Sequence, residues 1–298
     1  MSVDHDRYGF TEDERRDASA LIAAALAEDW ASRGDITSQA LLDPSWEGSV
    51  TVTARAAGVI AGLPLVPLIL ERADATLQWI PSVREGSLVE AGDSVGRFQG
   101  RLQTLLALER TILNFLTHLS GVATLTARCV AAARGTRARI LDTRKTLPGW
   151  RRLQKYAVRV GGGENHRMGL FDAVLIKDNH IAAWRRHNPD RSLAELVRTA
   201  RQRCPQAAFV EIEVDDVQQL ADVLAARPDI VLLDNFSSPM LVEAVRLRDR
   251  IQPTTLLEAS GGITLETIGA IARTGVDRIS VGALTHSPPA MDLAFDWS

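Results

Sequence analysis

The sequence predicts an α/β fold built on a parallel sheet, closed or nearly closed into a barrel. Two observations carry this reading. From about residue 137 short apolar runs recur at 138–145, 172–179, 208–215, 229–236, 255–262 and 277–284, each ending in polar residues and followed by a helical stretch. Runs that are apolar throughout belong to strands covered on both faces, and intervening helices supply the parallel connections. Six such units favour a barrel over a small open sheet. A third observation places the chemistry. The runs end in Arg144 and Lys145, Lys177, Glu213, Asp234, Ser260-Gly261-Gly262 and Gly282, and the C-terminal strand ends of such barrels converge on one mouth. One charged strand end is explained by the chain leaving the core; all six together are not.

The chain before residue 137 follows a different grammar. Residues 14–30 have apolar positions at helical spacing, and the stretch Gly34-Asp35-Ile36-Thr37-Ser38 stops that helix and turns the chain. Val50, Val52 and Ala54 then alternate as one face of a strand, and further short strands are expected at 76–83 and 86–98, punctuated by Gly86, Gly92, Gly96 and Gly100. Residues 103–133 read as helical with a wide apolar face, and Gly121 is expected to divide this pattern into two helices.

Bulk properties narrow the function class. A 298-residue chain that is 46% hydrophobic and 24% charged has the balance of a folded globule. Its net charge of -3 supplies no basic field for nucleic acid or anionic lipid, so neither partner is expected and any positive cluster must be local. Cys129 and Cys204 stand far apart, outside any C-x-x-C spacing, which suggests neither a disulfide framework nor a zinc site. The segment Met1–Glu14 is polar and acidic, unlike a secretory signal. The longest apolar stretch, 59–70, contains Gly62, Pro64 and Pro67 and falls short of the ~20 residues of a membrane helix. A cytoplasmic enzyme with no membrane partner is expected.

The local positive cluster exists. It comprises Arg144, Lys145, Arg151, Arg152, Lys155, Arg159, His166, Arg167 and Lys177. Arg151, Arg152, Lys155 and Arg159 have the spacing of a solvated helix face. Arg144 and Lys145 instead follow an apolar run and precede a Pro148-Gly149 turn, while His166 and Arg167 stand beside three successive glycines that allow close backbone approach. Several guanidinium groups in one pocket suit a substrate with more than one carboxylate, because each can grip one through two parallel hydrogen bonds. Glu213 and Asp234 supply the opposite sign and suit Mg²⁺, directly or through water. The glycine turns at Ser260-Gly261-Gly262 and Val281-Gly282-Ala283 stand where barrels bind phosphate through backbone N–H groups.

These motifs together identify a resemblance. The segments 25–38 (ALAEDWASRGDITS), 109–126 (ERTILNFLTHLSGVATLT), 142–151 (DTRKTLPGWR), 155–170 (KYAVRVGGGENHRMGL), 175–181 (LIKDNHI), 211–216 (EIEVDD), 232–237 (LLDNFS) and 258–263 (EASGGI) occur in the order found in the quinolinate phosphoribosyltransferases, of the type II phosphoribosyltransferase family, which the chain resembles over nearly its whole length. The resemblance implies an N-terminal α/β sandwich domain, 1–116, which the C-terminal segment 285–298 is a candidate to join, and an incomplete α/β barrel of about six parallel strands, 117–284. It implies a homodimer with shared active sites, or a higher oligomer built from it. Arg110, Thr143, Arg144, His166, Arg167 and Lys177 then form the quinolinate side, with Arg110 reaching in from the partner subunit; from its own chain alone, Arg110 reads as an exposed helix arginine paired with Glu109 or another carboxylate. Lys145, Glu213, Asp234, Ser260, Gly261, Gly262, Val281, Gly282 and Ala283 form the phosphoribosyl pyrophosphate and Mg²⁺ side, and Lys177 stands with Lys145, Glu213 and Asp234 as a catalytic candidate. One departure is visible, the loop Thr146-Leu147-Pro148-Gly149-Trp150, where a second threonine and a smaller apolar residue are the family's pattern.

The activity so implied is transfer of the phosphoribosyl group to quinolinate with decarboxylation, giving nicotinate mononucleotide, pyrophosphate and CO₂ for NAD biosynthesis. Two rivals are weighed: a relative acting on nicotinate or another mono-acid, or a paralogue from a metal-uptake context of unsettled activity, and a polyanion-binding protein on a barrel without turnover. The several arginines argue against the first. Intact Lys145, Glu213 and Asp234 argue against the second.

Overall fold

The computed structural model describes residues 8–73 and 75–297; residues 1–7 of the polar N-terminal segment, Asp74 and Ser298 lie outside them. In chain order the elements before the barrel are α1 (Glu12–Trp30), α2 (Ile36–Leu41), β1 (Glu47–Ala54), β2 (Gly58–Val59), α3 (Leu65–Arg72), β3 (Gln78–Pro81), β4 (Leu88–Val89), β5 (Ser94–Arg101) and α4 (Leu102–Ala132). They are followed by β6 (Arg139–Leu141), α5 (Arg151–Val160), β7 (Val174–Ile176), α6 (Asp178–His187), α7 (Leu193–Arg203), β8 (Val210–Val214) and α8 (Val217–Leu224). The chain closes with β9 (Ile230–Asp234), α9 (Ser238–Ile251), β10 (Leu256–Ser260), α10 (Leu265–Ala272), β11 (Arg278–Ser280), α11 (Ala283–His286) and β12 (Leu293–Trp297).

These elements form two compact units. The first takes the chain up to Ala127, Thr146–Gly162 and the segment from Leu284 on; the second takes Arg128–Lys145 and Gly163–Ala283. In the first, an antiparallel sheet runs β12-β1-β5-β3, so the last strand pairs with the first, Val52 opposite Phe295. Alternation works as expected along β1: Val50, Val52 and Ala54 are fully buried. Phe98 of β5 anchors an aromatic row, 4.4 Å from Trp79 and 5.6 Å from Phe295 between ring centroids. α1 opens with a capping box in which the Thr11 side chain and Glu14 each satisfy the other's backbone N–H. Asp35 caps α2 by accepting from the N–H groups of Thr37 and Ser38, so the stretch read as a turn also starts a helix.

Two expectations in this unit are corrected. α4 is one continuous helix of 31 residues, undivided at Gly121. The glycine serves a close approach instead: a Cβ there would lie 2.2 Å from the carbonyl oxygen of Pro289. α5, read as a solvated basic face, is buried on most sides, with Lys155 fully buried. Its arginines are used within the unit: Arg159 meets Glu14 at 2.7 Å, and Arg152 meets Asp13 and Asp17 of α1 at 3.1 and 2.9 Å. The loop that departs from the family's pattern is well supported. Trp150 stacks on Phe115 at 4.9 Å, and the Gln154 side chain accepts from the N–H of Leu147.

The second unit is the incomplete barrel. Its six strands are parallel in the order β6-β11-β10-β9-β8-β7. β6 and β7 follow one another in the chain yet form opposite edges of the sheet, and this is where the barrel stays open. Ile212, Val231, Leu233, Leu257 and Ile279 are fully buried, as strands covered on both faces require. α9 is tied in by Arg248, which is 1% exposed and donates to Thr255 O at 2.7 Å and to Asp277 at 2.6 Å. Because all six strands point one way, the residues after them share one edge.

Candidate active site

At that edge the second unit assembles a cationic side. Just past β6, the fully buried carboxylate of Asp142 accepts from the Asn165 amide at 2.5 Å and from the His166 N–H at 2.9 Å. The segment after the three glycines, of which only Gly162 has a positive φ (+86°), is thereby pinned against the β6 end. Asp172 accepts from the N–H groups of Met168 and Gly169 and closes the turn that follows. Arg167 is 8% exposed and donates to Ala173 O at 3.0 Å. Burial first, and then the charge of Arg144, lower its pKa. The two guanidinium groups are therefore close enough to repel one another. Arg144 is half-buried and Lys145 exposed, with the Lys145 N–H donating to the Thr143 hydroxyl at 3.0 Å.

The His166 ring meets two buried carboxylates. Its Nδ1 accepts the Arg167 N–H at 2.7 Å, which leaves the ring proton on Nε2, 2.9 Å from Glu211 and 3.5 Å from Glu258. Burial alone would lower its pKa, but the hydrogen bond to Glu211 and the charge of Glu258 turn the net shift upward. Glu211 and Glu258 are fully buried, and Arg278 donates to Glu258 at 2.7 Å. Burial, and then Glu258, raise the Glu211 pKa. His166, Glu211 and Glu258 lie close enough to hold a cation, yet the proton on Nε2 makes this a hydrogen-bonded cluster.

The acidic side lies on β8 and β9. Glu213, Asp215 and Asp234 each bring a carboxylate oxygen within 4.8 Å of the others. Glu213 is 8% exposed and 3.6 Å from the Lys177 ammonium. Its pKa is raised by burial, pulled back by Lys177 and raised again by Asp234. Lys177 caps α6 directly after β7. Asp234 ends β9 in register with Ser260 of β10, and the turn beyond Ser260 has positive φ at both Gly261 (+92°) and Gly262 (+58°). Gly282 and Ala283 follow β11, while Val281 is buried with its N–H donated to Leu141 O at 2.9 Å.

Of the residues expected in the site, Thr143, Arg144, Lys145, His166, Arg167, Lys177, Glu213, Asp234, Ser260, Gly261, Gly262, Val281, Gly282 and Ala283 all fall in the second unit. Arg110 falls in the first, exposed on α4 and 3.2 Å from Glu109. It lines a hollow of about 220 Å³ with Asp29, Trp30, Asp35 and Leu106. Sequence reading missed Asp142, Asp215, Glu211, Glu258 and Asn235. The signal for two of them was present: Glu211 and Glu258 precede Glu213 and Ser260 by two residues, the strand spacing that returns a side chain to the same face.

Cationic and acidic groups at the C-terminal edge of an incomplete parallel barrel, with a glycine turn beside them, define an α/β-barrel enzyme site for a polyanionic substrate. Comparison with known proteins gives the family. Residues 35–120 match the model of the quinolinate phosphoribosyl transferase N-terminal domain, and residues 122–296 that of the C-terminal domain. The chain belongs to the quinolinate phosphoribosyl transferase family. It is 44% identical over 281 residues to the nicotinate-nucleotide pyrophosphorylase [carboxylating] of Mycobacterium leprae, covering 94% of this chain and 96% of that one. It is 39% identical to the quinolinate phosphoribosyltransferase [decarboxylating] 1 of Nicotiana glauca, covering 93% of this chain and 81% of the relative. Among solved structures, the nicotinate-nucleotide pyrophosphorylase of Francisella tularensis superposes with a TM-score of 0.88 at 37% identity, over 99% of this chain and 100% of that one. Among the described residues, no helix is long and apolar enough to cross a membrane.

Proposed function

We propose that the chain transfers the phosphoribosyl group of phosphoribosyl pyrophosphate to quinolinate with decarboxylation, giving nicotinate mononucleotide, pyrophosphate and CO₂ in NAD biosynthesis. The observation that carries this reading is that the half-buried Arg144 and the buried Arg167, close enough to repel one another, stand at the same sheet edge as an acidic group on two neighbouring strands. A dicarboxylate relieves the repulsion on one side. A cation-bearing sugar pyrophosphate fits the other.

In the reaction, the bond from the anomeric carbon to pyrophosphate breaks with its electron pair leaving on oxygen, and the sugar gains cationic character. Glu213 and Asp234 face that charge, and Lys145 meets the charge growing on the leaving group. The oxygens of Glu213, Asp215 and Asp234 fit a Mg²⁺ that keeps several waters, which would further neutralise the pyrophosphate. Arginines on the ring carboxylates aim the pyridine nitrogen, whose lone pair forms the new bond; this positioning supplies much of the rate. The neighbouring carboxylate then leaves as CO₂, its electron pair held on the ring carbon beside the cationic nitrogen until a proton replaces it. Lys177, 3.6 Å from Glu213, is our candidate to assist that step.

We further read the protein as a cytoplasmic homodimer in which a second subunit's Arg110 completes the quinolinate pocket. Exposed apolar side chains support an interface on each unit: Ile36 and Leu106 line the Arg110 hollow in the first, and Leu170 and Phe171 follow Arg167 in the second. Large exposed apolar groups clustered beside functional residues mark covered surfaces.

The test of the arginine pocket is Arg167→Ala. Loss of a charge-assisted pair worth ~1.5–3 kcal/mol raises the KM for quinolinate roughly 10- to 100-fold, with the KM for phosphoribosyl pyrophosphate changed far less. A folded variant whose quinolinate titration matched the parent's would remove Arg167 from the pocket.

A further inference from the structure

We propose that Asn235 is a positioning residue that locks the Asp234 carboxylate and the Ser260–Gly262 turn into one arrangement; this rests on the reading of that turn as the phosphate cradle. Three contacts converge on this one side chain and its backbone. The Asn235 amide nitrogen donates to the Asp234 carboxylate at 2.7 Å, fixing its rotation at the end of β9. The Asn235 N–H donates to Ser260 O at 2.9 Å, continuing the pairing of Asp234 with Ser260 one residue past the strand ends. The same amide fills the space beside Gly261, where an added Cβ would lie 2.2 Å from its Oδ1. Gly261 is therefore glycine for two reasons, its φ of +92° and the Asn235 amide packed against it.

Asn235 itself has a φ of +56°, in the left-handed region that Asn tolerates better than most non-glycine residues. That conformation folds the side chain back over the strand ends instead of out along α9. A carboxylate facing the sugar and backbone N–H groups facing its phosphate must be correct at the same time, and errors of an ångström cost activity heavily. Asn235 joins the two without having to touch the substrate.

The left-handed backbone gives a way to separate this role from simple loop geometry. If only the conformation mattered, Asn235→Gly would equal the parent and Asn235→Ala would be the damaged variant. If the amide positions its neighbours, Asn235→Gly keeps the parental melting temperature but loses on the order of tenfold in kcat/KM for phosphoribosyl pyrophosphate, with the quinolinate KM within about twofold. Asn235→Asp, which sets a second carboxylate beside Asp234, loses more than Asn235→Gly. Parental kinetics in Asn235→Gly would overturn the proposal. Gly261→Ala, measured alongside, tests the underlying reading: if it disrupts phosphoribosyl pyrophosphate kinetics while Asn235→Gly does not, only the role of Asn235 falls. If Gly261→Ala is itself parental, the phosphate assignment of the turn falls and the proposal with it.

Discussion

Buried acids set the behaviour of individual residues here. Glu211 is fully buried, its Oε1 has no hydrogen-bond partner among the described residues, and burial followed by the Glu258 charge holds its pKa above the ordinary carboxylate value. An acid shifted upward favours the fold in its protonated form. Its contribution is complete below the unfolded pKa and is lost as pH rises through the folded value. Glutamine keeps the shape and has no such proton to lose. Glu211→Gln should therefore gain in melting temperature over the parent as pH rises from the unfolded carboxylate range, and coincide with it at the acid end; parallel curves would contradict this. These residues were hard to read in sequence because a Glu in a short strand looks like a solvent-facing position until its neighbours are known. Arg144, Lys177 and Asp234 were legible as strand-end residues because they close apolar runs.

At the scale of elements, the strands were read well and the helices less so. Every parallel strand falls within its expected run, since continuous apolar character is a strong local signal. Gly121 misled because glycine in a helix usually signals a break, whereas here contact with Pro289, distant in sequence, demands it. Lys155 misled because charge spacing says nothing about which faces a helix buries. The element most dependent on one polar contact is α9. Arg248 bonds Asp277, whose carboxylate also accepts the Leu257 N–H at 2.8 Å, so the pair joins the helix to the start of β10 and the turn before β11. Arg248→Met removes the buried partner of Asp277, which keeps Arg137 at 3.1 Å, and should cost on the order of 2 kcal/mol in denaturant unfolding. Adding Asp277→Asn should recover part of that loss, because the two side chains form one interaction. Additive losses would show that the pair contributes nothing as a pair.

For the whole molecule, the proposed dimer makes a prediction no single subunit can satisfy. If each site takes Arg110 from one chain and Arg144 from the other, Arg110→Ala and Arg144→Ala are each inactive alone. After subunit exchange in equal amounts, half the molecules are mixed dimers with one intact site, so activity should recover to about one quarter of the parental value per subunit. A mixture that exchanges yet stays inactive would show that the site is built within one chain.

The central claim is that this site couples phosphoribosyl transfer to loss of a carboxylate, and product stoichiometry tests it most directly. Purified protein is supplied with phosphoribosyl pyrophosphate, Mg²⁺ and quinolinate labelled in the carboxylate next to the ring nitrogen, and released CO₂ and pyrophosphate are counted together. The account predicts that the two appear in equal amounts, depend on quinolinate, and fall to background when nicotinate replaces it. Pyrophosphate release without matching CO₂, or equal release with nicotinate, would contradict it.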